Sequence, residues 1–153
     1  MLTVRNLILS YVREVAGTRH AFEEIEQRVS NFTEPQLIEA MLECGVIPEE
    51  FAHDSSEEKL WAKCCDILLS LALARLGLES RVIRLRGDSA DVLATGQGYT
   101  LVGDAKAFRL SRTAKNQKDF KIAALDDWRR ENTYACLAGP LTQFPKKQSQ
   151  IYK

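Results

Sequence analysis

The chain has 153 residues, 45% of them hydrophobic and 27% charged, with acidic and basic side chains equal at 21 each. This composition excludes a disordered polymer and a disulfide-stapled miniprotein, and the length suits one domain with its own core. No apolar run reaches the roughly 18 residues of a membrane span, and Arg5 and Arg13 interrupt the apolar N-terminal stretch, unlike a secretory leader, so a cytoplasmic protein is expected.

Zero net charge conceals an asymmetry. Residues 1 to 70 hold 13 acidic and 6 basic side chains, residues 71 to 153 hold 8 and 15, so the halves carry −7 and +7. A polyanion is a natural partner for the basic half, because phosphate contacts supply most sequence-independent binding energy. An internal acidic-to-basic interface explains the same numbers. Cys44, Cys64, Cys65 and Cys136 form no CxxC pair. They read as reduced, mostly buried small hydrophobes.

In chain order, residues 2 to 45 read as helices. Leu2, Leu7, Ile8, Tyr11, Val12 and Val15 recur at helical spacing, Thr33-Glu34-Pro35 opens a further helix, and Gly45 offers a stop. Ser55-Ser56-Glu57-Glu58 caps a long helix that runs to Leu76, with Gly77 as a left-handed terminator. On that helix Lys59, Lys63, Asp66 and Ser70 form one narrow polar stripe, and the remainder is largely apolar, which predicts burial against a sheet. The period then changes. Arg81–Arg86, Asp91–Ala94 and Tyr99–Ala105 read as strands, the last two joined through a turn at Thr95-Gly96-Gln97-Gly98. A helix near Ala114–Glu131 and a strand at Tyr134–Ala138 follow.

Residues i and i+2 of a strand share a face, so Asp104 and Lys106 project together as a D-x-K pair. A hairpin loop of Gln97-Gly98, or of the four residues Gly96 to Tyr99, sets Asp91 directly opposite Asp104, whereas a three-residue loop would put them on opposite faces. Two converging carboxylates repel unless protonated or holding a cation, and all-oxygen ligation suits magnesium. Glu58, in the first turn of the buried helix, is a further candidate for that metal site, alongside the plainer role of complementing the helix dipole. On spacing alone, Asp91 also fits a turn-flanking strand end, and Asp104 and Lys106 a solvated strand edge. Asp88 reads as part of a Gly87-Asp88-Ser89 turn, and His20 and His53, isolated from any nucleophile pattern, as structural or solvent-facing.

From Lys106 a basic residue recurs at every third position: Lys106, Arg109, Arg112, Lys115, Lys118 and Lys121. Ser111, Thr113, Asn116 and Gln117 add neutral donors, the mixture used for phosphate and base-edge contacts. Arg109, Arg112, Lys115, Asn116 and Lys118 are the candidate DNA-binding residues, with an ordinary solvated helix as the alternative.

The run from Asp104-Ala105-Lys106-Ala107-Phe108-Arg109 through Lys118-Asp119-Phe120-Lys121 closely resembles the HindIII family of type II restriction endonucleases, within the PD-(D/E)xK nuclease superfamily. The similarity extends through Gly87–Val92, Ser56–Leu60, Trp128-Arg129 and Ser149–Ile151, covering most of residues 46 to 153. It implies an α/β (α+β) core, a small mixed sheet flanked by helices, with residues 1–50 as a helical N-terminal region and 51–153 as the catalytic core. It also implies Asp91 and Asp104 as the metal-binding acids, Lys106 as the catalytic lysine, and Mg2+ as cofactor. Duplex DNA cut in both strands at a short palindromic site, leaving 5′-phosphates, a homodimer, and a cognate DNA methyltransferase follow from the same resemblance. Two departures stand out: the connection between Asp91 and Asp104 is shorter here, and the chain ends where the family continues. The expectation is therefore a single nuclease domain truncated at its C-terminus, with a catalytically inactive remnant or DNA-binding fragment as the alternative.

Overall fold

In the computed structural model, which describes residues 3–84, 91–111, 120, 122–129 and 134–144, helices α1 (Val4–Val15), α2 (Ala21–Ser30), α3 (Glu34–Glu43) and α4 (Ser56–Arg75) precede the sheet. Their starts follow local side-chain chemistry. Thr3 Oγ1 accepts the Asn6 N–H at 3.2 Å, Thr33 and Gln36 form a reciprocal capping box with Pro35 in the first turn, and Ser55 Oγ accepts the Glu58 N–H at 3.2 Å. Each bond satisfies a backbone donor that a helix N-terminus otherwise leaves unpaired. At the other end of α4, Gly77 takes φ 89, the left-handed conformation expected of it.

Helix α4 is the spine of the molecule. Leu60, Trp61, Cys64, Ile67 and Leu68 join Ile8, Val12, Ile25, Val29 and Leu37 of the preceding helices in one core. Leu69 and Leu73 instead pack with Val92, Ala94 and Leu101 of the sheet. Covered from both sides, α4 has room for only the narrow polar stripe that its sequence shows. Trp61 Nε1 donates to the Cys44 carbonyl at 2.8 Å, so the largest buried ring leaves no donor unpaired. Burial pushes the Cys44 thiol up to about 12 and raises Cys64 and Cys65 as well, which leaves them acting as small hydrophobes.

The sheet has strands β1 (Glu79–Val82), β2 (Val92–Gly96), β3 (Tyr99–Ala105) and β4 (Tyr134–Ala138), in spatial order β1-β2-β3-β4. The first three are antiparallel neighbours; β4 lies parallel to β3 and is reached through helix α5 (Ile122–Arg129), as a parallel connection requires a crossover. Leu125 and Trp128 of α5 pack with Leu93, Val102 and Leu137, on the sheet face away from Leu69 and Leu73 of α4. A Cβ at Gly103 would lie 3.2 Å from Leu69 Cδ2, so the glycine permits close seating of α4 on β3. The mixed α/β architecture matches the fold class expected from the sequence, with differences at element boundaries: β1 ends at Val82 rather than Arg86, and β2 runs on through Thr95 and Gly96, which the sequence assigned to the turn. Strand β1 begins two residues earlier than its apolar pattern suggests, and only Ile122–Arg129 of the expected 114–131 helix is a described helical element. The Gly87-Asp88-Ser89 turn lies outside the described residues.

Part of the charge asymmetry is resolved internally. Arg84, from the basic half, pairs with Glu23 at 2.9 Å and with Glu26, and its guanidinium lies 4.4 Å from the centroid of the Phe22 ring. Among the described residues, no helix is long and apolar enough to cross a membrane.

Candidate active site

The hairpin register runs from Gly96 opposite Tyr99 to Val92 opposite Gly103, which makes Gln97-Gly98 a two-residue loop. Gly98 supplies the turn with φ 83. One pair beyond Val92 and Gly103, Asp91 falls opposite Asp104, on the shared face that the even-length loop predicts. The backbone holds both ends: the Asp91 carbonyl accepts the Ile83 N–H at 2.8 Å, and Lys106 N–H donates to the Ala138 carbonyl at 2.8 Å. Asp104, on a strand flanked by β2 and β4, is only 1% exposed. Lys106 Nζ forms an ion pair with Asp104 Oδ2, as their i, i+2 spacing allows.

Two further residues join them from α4. Carboxylate oxygens of Asp66, Asp91 and Asp104 all lie within 4.8 Å of one another. Lys63 Nζ donates to Asp66 Oδ2 at 3.2 Å and to Asp91 Oδ1, and Asp66 Oδ1 accepts the Ala105 N–H at 3.2 Å. Burial pushes the Asp66 carboxyl up to about 7, with the charge of Asp91 acting in the same direction and Lys63 against it. Burial works against the Lys63 ammonium, yet Asp66 and Asp91 together hold its pKa above the usual lysine value. The signal for these two residues was the polar stripe Lys59, Lys63, Asp66, Ser70. Its chemistry could not be read along the helix, because the partners lie far away in sequence: Asp91 for Lys63, Ala105 for Asp66, and Ser80, at 2.9 Å, for Ser70.

These groups suit a divalent cation. The donors are all carboxylate oxygens, the hard ligands that magnesium and calcium take. With all three carboxylates ionised they face two ammonium groups, which leaves one negative charge beside the buried Asp66 and Asp104. Asp104 Oδ2 is buried and, although Lys106 stands beside it, accepts no hydrogen bond among the described residues.

Glu58 stands elsewhere. It lies eight residues before Asp66, about 12 Å of helix rise, and it gathers with His53 and Asp54 rather than with Asp91 and Asp104. Its Oε1 accepts Arg109 Nε at 2.8 Å, and its Oε2 accepts the Asp54 N–H at 2.6 Å. Burial alone would raise the Glu58 carboxyl, but the Arg109 hydrogen bond and the Asp54 N–H hold it below the usual glutamate value. Arg109 also donates to the carbonyls of Phe51 at 2.6 Å and Glu49 at 3.4 Å, and its side chain is 15% exposed. The two residues thus brace the chain that leaves the D-x-K pair against the start of α4. Ser111 continues the brace, its N–H and Oγ both donating to Glu49. Near the end of the basic run, Phe120 is fully buried against Phe108 and Phe144, with ring centroids at 5.4 and 5.1 Å. Arg112, Lys115, Asn116 and Lys118 lie outside the described residues.

A family model described as HindIII restriction endonuclease matches residues 8–153. The type II restriction enzyme HindIII of Haemophilus influenzae (strain ATCC 51907 / DSM 11121 / KW20 / Rd) is 47% identical over 120 residues, a stretch covering 77% of this chain and 40% of that relative. The chain thus spans well under half the length of the curated relative it matches.

Proposed function

Because the chain belongs to the HindIII restriction endonuclease family, we propose that it carries the hydrolytic core of a magnesium-dependent endodeoxyribonuclease that cuts both strands of duplex DNA at a specific site. The observation that carries this reading is the convergence of Asp91 and Asp104 with the Lys106 ammonium held against Asp104.

Asp91 and Asp104 would hold the ion. When bound, magnesium supplies positive charge against the scissile phosphate and acidifies the attacking water. Lys106 orients that water and offsets the negative charge that develops on the phosphate in the transition state. Water attacks phosphorus, the P–O3′ bond breaks, and the leaving 3′ oxygen takes up a proton. The products are a 5′-phosphate and a 3′-hydroxyl.

The basic run after Lys106 meets the DNA backbone in this reading, with Arg112, Lys115, Asn116 and Lys118 as contacts and Arg109 fixing the start of the run. A short palindromic target, a homodimeric enzyme and a cognate methyltransferase that protects host DNA complete the proposal, and they rest on kinship with restriction enzymes.

A plasmid-cutting assay with and without Mg2+ tests it, comparing the chain with Lys106→Ala. Cutting that requires magnesium and falls at least about a hundredfold in the variant supports the assignment. Equal cutting by both removes Lys106 from the mechanism. Salt-sensitive duplex binding without cleavage at any magnesium concentration points to a binding module instead.

A further inference from the structure

We propose that Asp66 is a third carboxylate of the cation site, and that Lys63 is its built-in counter-ion, released when a divalent cation enters. The inference rests on Asp91 and Asp104 being the ion-holding pair. It adds to them a residue from a different element, the middle of the buried helix.

Asp66 is 3% exposed on a helix whose other buried side chains, Ser70 apart, are Leu, Ile, Cys and Trp. A desolvated carboxylate is costly there, and helix packing alone has no use for one. Its two oxygens have separate duties. Oδ1 is fixed by the Ala105 N–H, between Asp104 and Lys106 in the chain, which locks the carboxylate to the strand that carries the site. Oδ2 is held only by Lys63 among the described residues, and it faces the same small volume as Asp91 and the buried Oδ2 of Asp104, whose only described partner is the Lys106 ammonium.

Lys63 is suited to leave. Its side chain is 45% exposed, against 18% for Lys106, and a flexible four-carbon stem can carry the ammonium into water without disturbing the core. Charge balance gives the direction. With Lys63 in place, three carboxylates face two ammonium groups; with Lys63 replaced by a divalent ion, three carboxylates face one ammonium and two positive charges, and the site is neutral. Lys63 is thus a partial substitute for the ion, spanning Asp66 and Asp91 in its absence and keeping two carboxylates from repelling each other.

Isothermal titration of Mg2+ and, separately, Ca2+ into the whole chain at pH 8.5 tests this. The proteins compared are the unmodified chain, Asp91→Asn, Asp66→Asn and Lys63→Met, with the metal-free melting temperature recorded for each. Asp66→Asn should weaken ion binding at least about tenfold, and Lys63→Met should tighten it by a similar factor, since a competing cation has gone. Binding by Asp66→Asn as tight as in the unmodified chain would make Asp66 a packing residue only. Unchanged or weaker binding by Lys63→Met would overturn the counter-ion role. If Asp66→Asn does not fold, Lys63→Met decides alone, because its half-exposed side chain leaves the core untouched. A chain that binds neither ion removes the Asp91 and Asp104 reading itself. One whose binding is lost in Asp91→Asn but kept in Asp66→Asn removes only the present inference.

Discussion

Glu58 illustrates how much a carboxylate's role depends on what comes within reach. From sequence it is an acid in the first turn of a helix, suited first to the helix dipole and also a candidate for a metal. In the fold Arg109 lies 2.8 Å away and claims it. The folded carboxyl titrates below the ordinary value of 4.5, so the pair stabilises the native state fully above that value and loses its contribution as pH falls through the folded pKa. Melting temperatures of the unmodified chain and Glu58→Gln should differ most at neutral pH and converge as pH falls through the lowered folded pKa of Glu58; a gap that persists or widens in acid would mean that the carboxylate charge is not what Arg109 requires. The D-x-K residues were legible because two positions on one strand need no tertiary information to share a face. Asp66 was not, since nothing along α4 says which of its polar residues meets a distant strand.

At the scale of elements, the hairpin decides whether Asp91 and Asp104 can cooperate. Its two-residue loop depends on Gly98, whose φ of 83 suits glycine and whose added Cβ would meet nothing within 4 Å. The penalty for Gly98→Ala is therefore conformational alone, about 1–2 kcal/mol, and should lower the melting temperature by roughly 2–8 °C. Ion binding should persist in that variant, because the register is also fixed by five strand pairs; loss of ion binding with the fold intact would show that the turn positions the acids directly. The strand pattern was readable from the sequence because it is local, while the loop length, left open there, is decided by the pairing of Gly96 with Tyr99. The start of β1 was not, since Glu79 enters the sheet by pairing with Thr95 rather than through its own apolar pattern.

At the scale of the whole molecule, the opposite charges of the two halves have two destinations. Arg84 and Arg109 reach back to Glu23, Glu26, Glu49 and Glu58, so part of the basic surplus is neutralised within the fold. The remainder is what the proposed function directs at phosphate. Duplex binding should then fall by orders of magnitude between about 50 and 200 mM salt if six or more phosphates are contacted, while the thermal midpoint changes little because exposed ion pairs add at most about 1 kcal/mol each. Fluorescence anisotropy and thermal melting across the same salt series measure both, and a flat affinity would end the polyanion reading. By itself the sequence determined the helices, the hairpin and the shared face of Asp104 and Lys106, because caps, periodicity and strand alternation act over a few residues; the structure selected the two-residue loop that sets Asp91 on that face. Only the tertiary structure brought Asp66 and Lys63 to that face and turned Glu58 and Arg109 into a brace, since those contacts join α4 to strands and loops remote in sequence and depend on how the helix is rotated against the sheet.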